Sequence, residues 1–228
     1  MKKVVNKFIS LIKKEDFHFD DRISYIYLIQ LLLSKIINLI YGIFIFKKFT
    51  FIFVHPTSRI RCTNKIKFDS NLSIDMYSYI DAISTEGIIF GRNCSVGKFT
   101  TIECSGSLNN LGRGLIIGNN VGLGTRSHYG CAGGISIGDD TIIGNFVSFH
   151  SENHNFLNIS IPIRNQGVNR KGIKIGSNCW IGAKVTILDG VEIGNGCVIA
   201  AGSLVNKSFS DNSIIVGVPA KFLKFRSI

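Results

Sequence analysis

Residues 173–208 read IKIGSN-CWIGAK-VTILDG-VEIGNG-CVIAAG-SLVNKS, six segments of six residues with an aliphatic side chain at the third position of each. The repeated aliphatics are Ile175, Ile181, Ile187, Ile193, Ile199 and Val205. An amphipathic helix repeats every ~3.6 residues and a strand every second residue, so a period of six indicates neither. One short strand and one tight turn per segment instead predict a triangular coil, whose stacked turns enclose a column of aliphatic side chains.

The same rhythm recurs in shorter stretches earlier in the chain. Residues 88–99 read IIFGRN-CSVGKF, residues 115–126 read LIIGNN-VGLGTR and residues 135–146 read ISIGDD-TIIGNF. Glycine or another small residue follows most of the aliphatics, as expected where a backbone turns sharply. The pattern predicts an all-β fold, a parallel β-helix over residues 51–228, with a short C-terminal cap after Val205.

Residues 1–50 have a different character and are predicted to form a separate, helical segment. They hold nine Lys/Arg and four Asp/Glu, which gives +5 of the chain's net charge of +11. Residues 23–46 are almost continuously apolar, and a helix that spans a bilayer needs about 20 such residues. Lys35 lies in the middle of this stretch, where a charge costs about 2.5–3.5 kcal/mol in a bilayer. We therefore favour helices that cap the coil, pack on a neighbouring subunit or contact a membrane interface over a spanning helix.

Composition sets outer limits on the function. The chain has 228 residues, of which 45% are hydrophobic and 18% charged, and this excludes a disordered chain. Its six cysteines form no C-x-x-C pair and no zinc-finger spacing, so we expect reduced, mostly buried thiols in a cytoplasmic protein. No small-residue cleavage site follows the basic N-terminus, and no secretory signal is predicted. The positive charge indicates an anionic partner, but its spread along the chain and the lack of a recognition motif argue against nucleic acid.

The repeat, followed by IIVGVPAKFLKF at residues 214–225, resembles the hexapeptide-repeat acyltransferases. The resemblance covers about residues 60–225 and is most specific over residues 172–225, where it points to the sugar O-acetyltransferase branch that includes the maltose and galactoside acetyltransferases. It implies that the β-helix is left-handed, that the protein is a homotrimer, and that acetyl-CoA binds in the groove between adjacent subunits.

The rhythm breaks between Ser148 and Lys174, and residues 150–172 are predicted to form a polar excursion loop. Acetyl transfer to a hydroxyl needs a base, and histidine suits this task because its ordinary pKa is about 6.5. The resemblance implies that His154, in the context Glu-Asn-His-Asn, is this base. Glu152 is a candidate to orient the imidazole, although a backbone carbonyl could do the same.

Three further residues are candidates for binding the acceptor. His150 precedes the loop, and a packing or substrate-shaping role is favoured for it. Relatives often carry an Asn near Gly124, Arg126 and His128, where this chain has none. This departure favours an anionic acceptor, so Arg126, His128 and His150 are predicted to bind an acidic or lipid-linked glycan.

The resemblance also implies a set of residues that hold acetyl-CoA. Backbone groups near Gly182 and Ala183 would bind the pantetheine and stabilise the oxyanion of the transition state, and lysines would meet the phosphates. The full predicted set is Trp180, Gly182, Ala183, Ala201, Gly202, Asn206, Lys207, Pro219, Lys221 and Lys224.

The sequence thus predicts an acetyl-CoA-dependent O-acetyltransferase that modifies a hydroxyl of a surface polysaccharide or its precursor, by direct transfer in a ternary complex at the inner face of the cytoplasmic membrane. The first alternative is a nucleotide-sugar N-acetyltransferase, which is disfavoured because no Gly-rich nucleotide-binding fingerprint is present. A remote alternative is a zinc hydratase with His128, His150 and His154 as ligands. The spacing of the last two differs by one from the pattern of that family, and no metal is expected.

Overall fold

A computed structural model describes residues 19–227. The chain begins there with helix α1 (Tyr25–Phe46). The side chain of Ser24 caps its start by accepting a hydrogen bond from the Tyr27 amide, and Lys47 ends it in the left-handed conformation. Residues 1–18 of the predicted helical segment lie outside the described part of the chain.

Three sheets form the three faces of a coil. Sheet A contains β1 (Ile52–Val54), β4 (Leu72–Ile74), β7 (Ser95–Val96), β12 (Gly122–Leu123), β15 (Ile142–Ile143), β20 (Trp180–Ile181), β23 (Val198–Ile199), β25 (Ser213–Gly217) and β26 (Ala220–Phe225). Sheet B contains β2 (Arg59–Arg61), β5 (Tyr79–Asp81), β8 (Thr101–Glu103), β13 (His128–Gly130), β16 (Ser148–His150), β21 (Thr186–Leu188) and β24 (Leu204–Val205). Sheet C contains β3 (Ile66–Phe68), β6 (Gly87–Phe90), β11 (Gly114–Ile117), β14 (Ile135–Ile137), β19 (Ile173–Ile175) and β22 (Glu192–Ile193).

Two hairpins stand outside the coil. They are β9 (Gly106–Ser107) with β10 (Asn110–Leu111), and β17 (Asn153–His154) with β18 (Val168–Asn169). The chain also makes two short 3₁₀ turns, Thr63–Lys65 and Ile163–Asn165.

Successive turns of the coil stack as parallel strands in strict register. On sheet A, for example, Ile52 lies beside Leu72, and on sheet B His128 lies beside Ser148. Each strand of the coil points one or two side chains to the interior, where aliphatic residues form a continuous core. All six aliphatics of the repeat at residues 173–208 are buried there, so the predicted axial column is confirmed.

Two edges of the coil turn through a residue in the left-handed conformation. At the C–A edge, where the chain passes from sheet C to sheet A, these residues are Asn71, Asn93, Asn120, Asp140, Asn178, Gly196 and Asn212. At the A–B edge they are Tyr77, Phe99, Arg126, Phe146, Lys184 and Gly202. The C–A edge is the expected solution, because Asn, Asp and Gly tolerate this conformation best.

Both hairpins leave the coil at the third edge, where the chain passes from sheet B to sheet C. One turn of the coil lies between the two turns from which they leave. In that intervening turn the residue at this edge is Gly133, and a Cβ atom there would collide with the carbonyl of Ser151. Glycine therefore lets the chain that enters the second hairpin lie directly against the coil.

Helix α1 covers the open edge of β1, the first strand of sheet A. Gly42 is buried at the contact, where a Cβ would collide with the carbonyl of Ile52, and the ring of Phe46 meets Phe68 edge-on at 5.4 Å. The opposite end of sheet A is closed by the antiparallel pair β25 and β26. The predicted N-terminal helix and C-terminal cap are both found.

The cysteines are all unpaired, and five of the six are buried in the coil. They act as small core residues, since thiols such as those of Cys179 and Cys197 donate to backbone carbonyls inside the coil.

Candidate active site

Two histidines lie side by side on the outer surface of sheet B. His128 is on β13 and His150 on β16, and their ring centroids are 5.7 Å apart. The backbone partner of His150 is Gly130, which has no side chain, and the Nε2 atom of His128 would lie 3.3 Å from a Cβ at that position. The missing side chain thus leaves the space in which the two rings meet.

The pKa of His150 is lowered from its ordinary value of 6.5, first by burial and second by the charge of His128. Both causes disfavour the imidazolium form. At neutral pH His150 therefore presents a neutral imidazole to this surface, able to donate one hydrogen bond and accept another.

His154 lies on β17, within the loop predicted between residues 150 and 172. The chain leaves the coil at Ser151, whose hydroxyl donates to the Gly130 carbonyl at 2.7 Å and accepts from the Gly133 amide at 2.9 Å. In the hairpin His154 pairs with Val168, and its side chain is exposed to solvent. The loop is thus an ordered hairpin that presents His154 at its base, four residues beyond His150.

Arg170 fastens this hairpin to the other one. Its Nε donates to the carboxylate of Glu152 at 2.6 Å, and its two terminal nitrogens reach the side chain and carbonyl of Asn110 and the carbonyl of Leu111, all at 3.1 Å. Gly106 makes room, because a Cβ there would collide with the guanidinium group. In the described contacts, the Glu152 carboxylate therefore binds Arg170, and Arg170 in turn binds the hairpin β9–β10.

The far end of the hairpin is apolar and exposed. Gln166 holds it together, since its side chain bonds the Asn158 amide and carbonyl and the Ile161 carbonyl. The exposed side chains around it are Phe156, Leu157, Ile159, Ile161 and Ile163.

Several of the predicted CoA residues meet at the C-terminal end of the A–B edge. The Gly202 amide donates to the Ala183 carbonyl at 2.8 Å, and the Gly217 amide donates to the hydroxyl of Ser203 at 3.2 Å, which brings the turn with Pro219 to the same place. Among residues 19–227, no atom outside the two sequence neighbours of Gly202 lies within 4 Å of the position of a Cβ on it, so these residues leave the surface above it open. Gly182 and Ala201 flank this contact in the sequence.

The other predicted CoA residues lie around this end of the coil without forming one cluster. Trp180 is exposed on sheet A, and Lys221 and Lys224 are exposed on β26, the edge strand of the same sheet. Asn206 and Lys207 follow β24 on sheet B, with the ammonium of Lys207 5.5 Å from the ring centre of Phe209.

Arg126 connects the histidines to the A–B edge. It occupies a turn position of that edge and lies two residues before His128. Its guanidinium carbon is 4.7 Å from the ring centre of Phe99, which stacks in turn on Tyr77 at 5.0 Å. Of the predicted acceptor residues, His128 and His150 are in contact, whereas the guanidinium of Arg126 lies over Phe99.

Sequence reasoning missed Arg170, Tyr77 and Phe99. Arg170 carries no local signal, since its partners at residues 110 and 111 are about sixty positions away. Tyr77 and Phe99 do carry a local signal, because both occupy the position in the repeat at which the backbone adopts the left-handed conformation. Among residues 19–227 no three His, Cys, Asp or Glu side chains form a group able to hold a metal ion.

A shallow groove of about 360 Å³ opens on the other side of the molecule, over sheet C. Arg113, Lys171 and Lys174 contribute its cationic side chains, and Glu86 and Glu192 its carboxylates. None of the predicted site residues lines this groove.

Comparison with known proteins connects this geometry to a family. Two models match, a bacterial transferase hexapeptide model of six repeats over residues 172–207 and a model for the hexapeptide repeat of succinyl-transferase over residues 114–147. WbbJ of Escherichia coli, named for an O-acetyl transferase role in lipopolysaccharide biosynthesis, is 32% identical over 159 residues, which cover 60% of this chain and 81% of WbbJ. The chain belongs to the hexapeptide-repeat acyltransferase family.

Two further proteins are similar, one in sequence and one in fold. Rv3034c of Mycobacterium tuberculosis, named as an acetyltransferase, is 34% identical over 139 residues, or 60% of this chain and 44% of its own length. The chain thus spans under half of that relative. A variant of AntD, an N-acyltransferase from Bacillus cereus solved with dTDP and coenzyme A, has the same fold at a TM-score of 0.50 and 18% identity, with 77% of this chain and 82% of AntD covered.

These comparisons confirm the predicted family and fold class, a left-handed parallel β-helix, and the prediction that the chain is an acyltransferase enzyme. The acetyltransferase relatives support acetyl-CoA as its cosubstrate. The roles of the individual residues stay predictions.

Proposed function

We propose that the protein is an acetyl-CoA-dependent O-acetyltransferase that modifies a hydroxyl of a surface polysaccharide or of its precursor. The observation that carries the proposal is that three groups lie on or beside sheet B: the open surface at Gly202 on its A–B edge, the pair His128 and His150 on its outer face, and the hairpin with His154 at its B–C edge. The likeness to WbbJ supports a hydroxyl of a glycan as the acceptor.

In this proposal His154 accepts the proton of the acceptor hydroxyl while the hydroxyl oxygen attacks the carbonyl carbon of the acetyl thioester. The bond between that carbon and sulfur breaks, CoA departs as the thiolate, and the proton held by His154 returns to it. Backbone amides near Ala183 would stabilise the negative oxygen of the transition state, which is worth a few kcal/mol. No cysteine nucleophile is invoked, because five of the six thiols are buried in the coil.

Acetyl-CoA would lie along the C-terminal end of the A–B edge. The open surface over Gly202 accepts the pantetheine arm, and the exposed lysines of β26 offer charges for the phosphates. Membership of the family supports a homotrimer in which a second subunit closes this groove, and light scattering of the purified protein measures that state directly.

Helix α1 supports a further part of the proposal, attachment to a membrane. The face that meets the coil carries Asn38, Gly42 and Phe46, which are buried, and Lys35, which points to Ser73 and lies 5.0 Å from the ring centre of Phe53. The opposite face is apolar and exposed, with Ile29, Leu33, Ile36, Ile37, Ile40 and Phe44. The exposed face of a helix in water is expected to be polar, so this face suits an apolar surrounding.

In the part of the chain that the structure describes, this is the one helix whose length and composition would suffice to cross a bilayer, and only 17% of its most apolar window is buried. We favour a helix that lies in the interface of the inner leaflet, because its C-terminal half is packed on β1. The protein should then sediment with vesicles that contain anionic lipid. A variant with Ile29, Ile36 and Ile40 changed to Ser should stay in the supernatant, and sedimentation equal to that of the unaltered protein would contradict this proposal.

The acceptor class is tested by incubating the protein with acetyl-CoA and a panel of purified glycans, glycan precursors and amino sugars, while free thiol and acetyl NMR signals are followed. We expect thiol release that depends on a hydroxyl acceptor. Transfer to amino sugars alone would replace the proposal by its alternative, a nucleotide-sugar N-acetyltransferase. Stoichiometric zinc in the purified protein would favour the hydratase alternative.

A further inference from the structure

The A–B edge carries side chains that its backbone does not favour. Tyr77, Phe99, Arg126, Phe146 and Lys184 all adopt the left-handed conformation, with φ between 54° and 59°. A bulky side chain in that conformation brings its Cβ too close to the backbone, so three aromatic residues in one such column are unusual.

The fold does not require aromatic or basic residues at these left-handed turn positions. At the C–A edge the same conformation is adopted by Asn and Asp residues, which also form a ladder of hydrogen bonds from Asn71 to Asn93, from Asn93 to Asn120 and from Asn120 to Asp140, at 2.7–3.0 Å. The same solution would satisfy the A–B edge with less strain. Strained residues that persist without a structural need are found mainly at functional sites.

The aromatic side chains of this edge are also exposed rather than packed. The exposed fractions are 55% for Tyr77, 42% for Phe99 and 51% for Phe146. Tyr77 and Phe99 are stacked with an angle of 19° between their rings, and the guanidinium of Arg126 covers the other side of Phe99. Because Tyr77 and Arg126 cover the faces of Phe99, the edge offers to the solvent the rim of Phe99 and the exposed parts of the Tyr77 and Phe146 rings.

The charges along this edge are mostly positive, and its one carboxylate, Asp75 in the turn of Tyr77, accepts a hydrogen bond from the Met76 amide at 2.7 Å. Lys98 precedes Phe99 in the turn, and Arg126 and Lys184 are turn residues themselves, while none of the turn residues from Tyr77 to Gly202 is acidic. With turns of the coil about 4.8 Å apart, the row from Tyr77 to Lys184 is roughly 19 Å long. This is longer than one sugar unit.

We propose that the A–B edge from Tyr77 to Lys184 is a binding platform for a chain of acidic sugars, which it leads towards the histidine pair. Sugar rings would lie with their C–H groups against the exposed parts of Tyr77, Phe99 and Phe146, and carboxylate or phosphate groups would pair with Arg126 and the two lysines. The platform rests on the proposed function, since it delivers the acceptor. It adds Tyr77, Phe99 and Phe146 to the site.

The test measures glycan binding without acetyl-CoA. Its result therefore does not depend on acetyl transfer, so that failure of the platform and failure of the proposed function can be told apart. The full chain is applied to an array of uronate-, sialate- and phosphate-bearing oligosaccharides, from single sugars to long oligomers, beside neutral oligosaccharides of matched length. We expect binding to acidic oligomers that strengthens with chain length. In the variant Y77N/F99N binding should weaken about tenfold, because two stacking surfaces are lost.

Asn is chosen for this variant because it tolerates the left-handed turn, so that the fold should be kept and can be checked by thermal unfolding. The matched control is F222N/F225N, which removes an exposed aromatic pair whose rings are 4.7 Å apart on β26. This control should bind acidic oligomers as the unaltered protein does. Binding that is absent, independent of chain length or equal in Y77N/F99N would overturn the platform. So would a change of oligomeric state in Y77N/F99N without a loss of binding, which would make the edge a contact between subunits.

Discussion

The C–A and A–B edges share one backbone conformation and differ in almost every side chain. The C–A edge has Asn or Asp at six of its seven left-handed positions, and their side chains bond one another from turn to turn. The A–B edge has three aromatic residues, one Arg and one Lys before it ends at Gly202. The difference separates what the coil needs in order to stack from what the protein adds for its activity.

The two edges also differ in their surroundings. The A–B edge borders the face with His128 and His150 and ends at the open surface over Gly202. The C–A edge borders none of the predicted catalytic or acceptor residues. Substitutions near the first should therefore change activity, and substitutions on the second should change stability.

The largest expected effect is on the predicted base. His154→Ala should lower acetyl transfer by about 10²–10⁴, the range for loss of a general base, with unchanged thermal unfolding because the side chain is exposed. The rate is measured as thiol release with saturating acceptor. Asn178→Ala, on the C–A edge, is the control and should keep its turnover. Near-normal turnover of the His154 variant would assign the base to another group, with His150 the next to examine.

The second effect concerns the anchor of the hairpin. Arg170→Ala should lower turnover roughly 10- to 100-fold, because a displacement of the base by about 1 Å suffices for such a loss. Since Arg170 acts through position and not through proton transfer, the pH profile of the remaining activity should keep its shape.

Glu152→Gln separates two roles for the carboxylate. If Glu152 acts by holding Arg170, the losses from E152Q and R170A should not add in the double variant. Additive losses, with a pH profile altered in E152Q alone, would show that Glu152 acts on the imidazole itself.

The third effect is on stability and has opposite signs at the two edges. Asn120→Ala should lower the free energy of unfolding by about 1 kcal/mol, since Ala tolerates the left-handed turn less well than Asn and two side-chain hydrogen bonds are lost. Phe99→Asn should raise it by roughly 0.5–1 kcal/mol, because strain is relieved. Chemical denaturation measures both. A Phe99 variant that is less stable than the unaltered protein would mean that the aromatic stack serves the fold.

The smallest effect is a dependence of stability on pH. The pKa of His150 is lowered by folding, so the unfolded chain binds its proton more readily. This contribution to stability is complete above a pH of about 6.5 and is lost as the pH falls through that value towards the pKa of the folded state. His150→Gln should therefore flatten the fall in stability between neutral and mildly acid pH. An equal fall in both proteins would show that His150 does not titrate in this way.

The sequence predicts the coil well because residues close together in the sequence specify each of its turns. A period of six places Ile175, Ile187 and Val205 on the axis, and all three are buried. The stacked turns then bring His128 and His150 together through parallel register, which a repeat alone hardly specifies when insertions of different length interrupt it.

What the sequence does not predict depends on contacts between distant segments. The hairpin β9–β10 and its link through Arg170 to Glu152 join residues about sixty positions apart. The orientation of α1 is also beyond the pattern, because hydrophobic periodicity would turn its apolar face inward, whereas Asn38 and Gly42 are the residues that meet β1. At the A–B edge the aromatic residues Tyr77, Phe99 and Phe146 are visible in the sequence. Their turn positions alone do not distinguish a binding role from a structural one.

The most direct test of the account is the chemical bond in the product. Acetyl-CoA labelled with ¹³C in its carbonyl carbon is incubated with the protein and an acidic glycan, and the labelled glycan is treated with mild base. The account predicts an ester, whose carbonyl signal disappears as free acetate is released. A signal that survives this treatment would identify an amide and would contradict the assignment of the protein as an O-acetyltransferase.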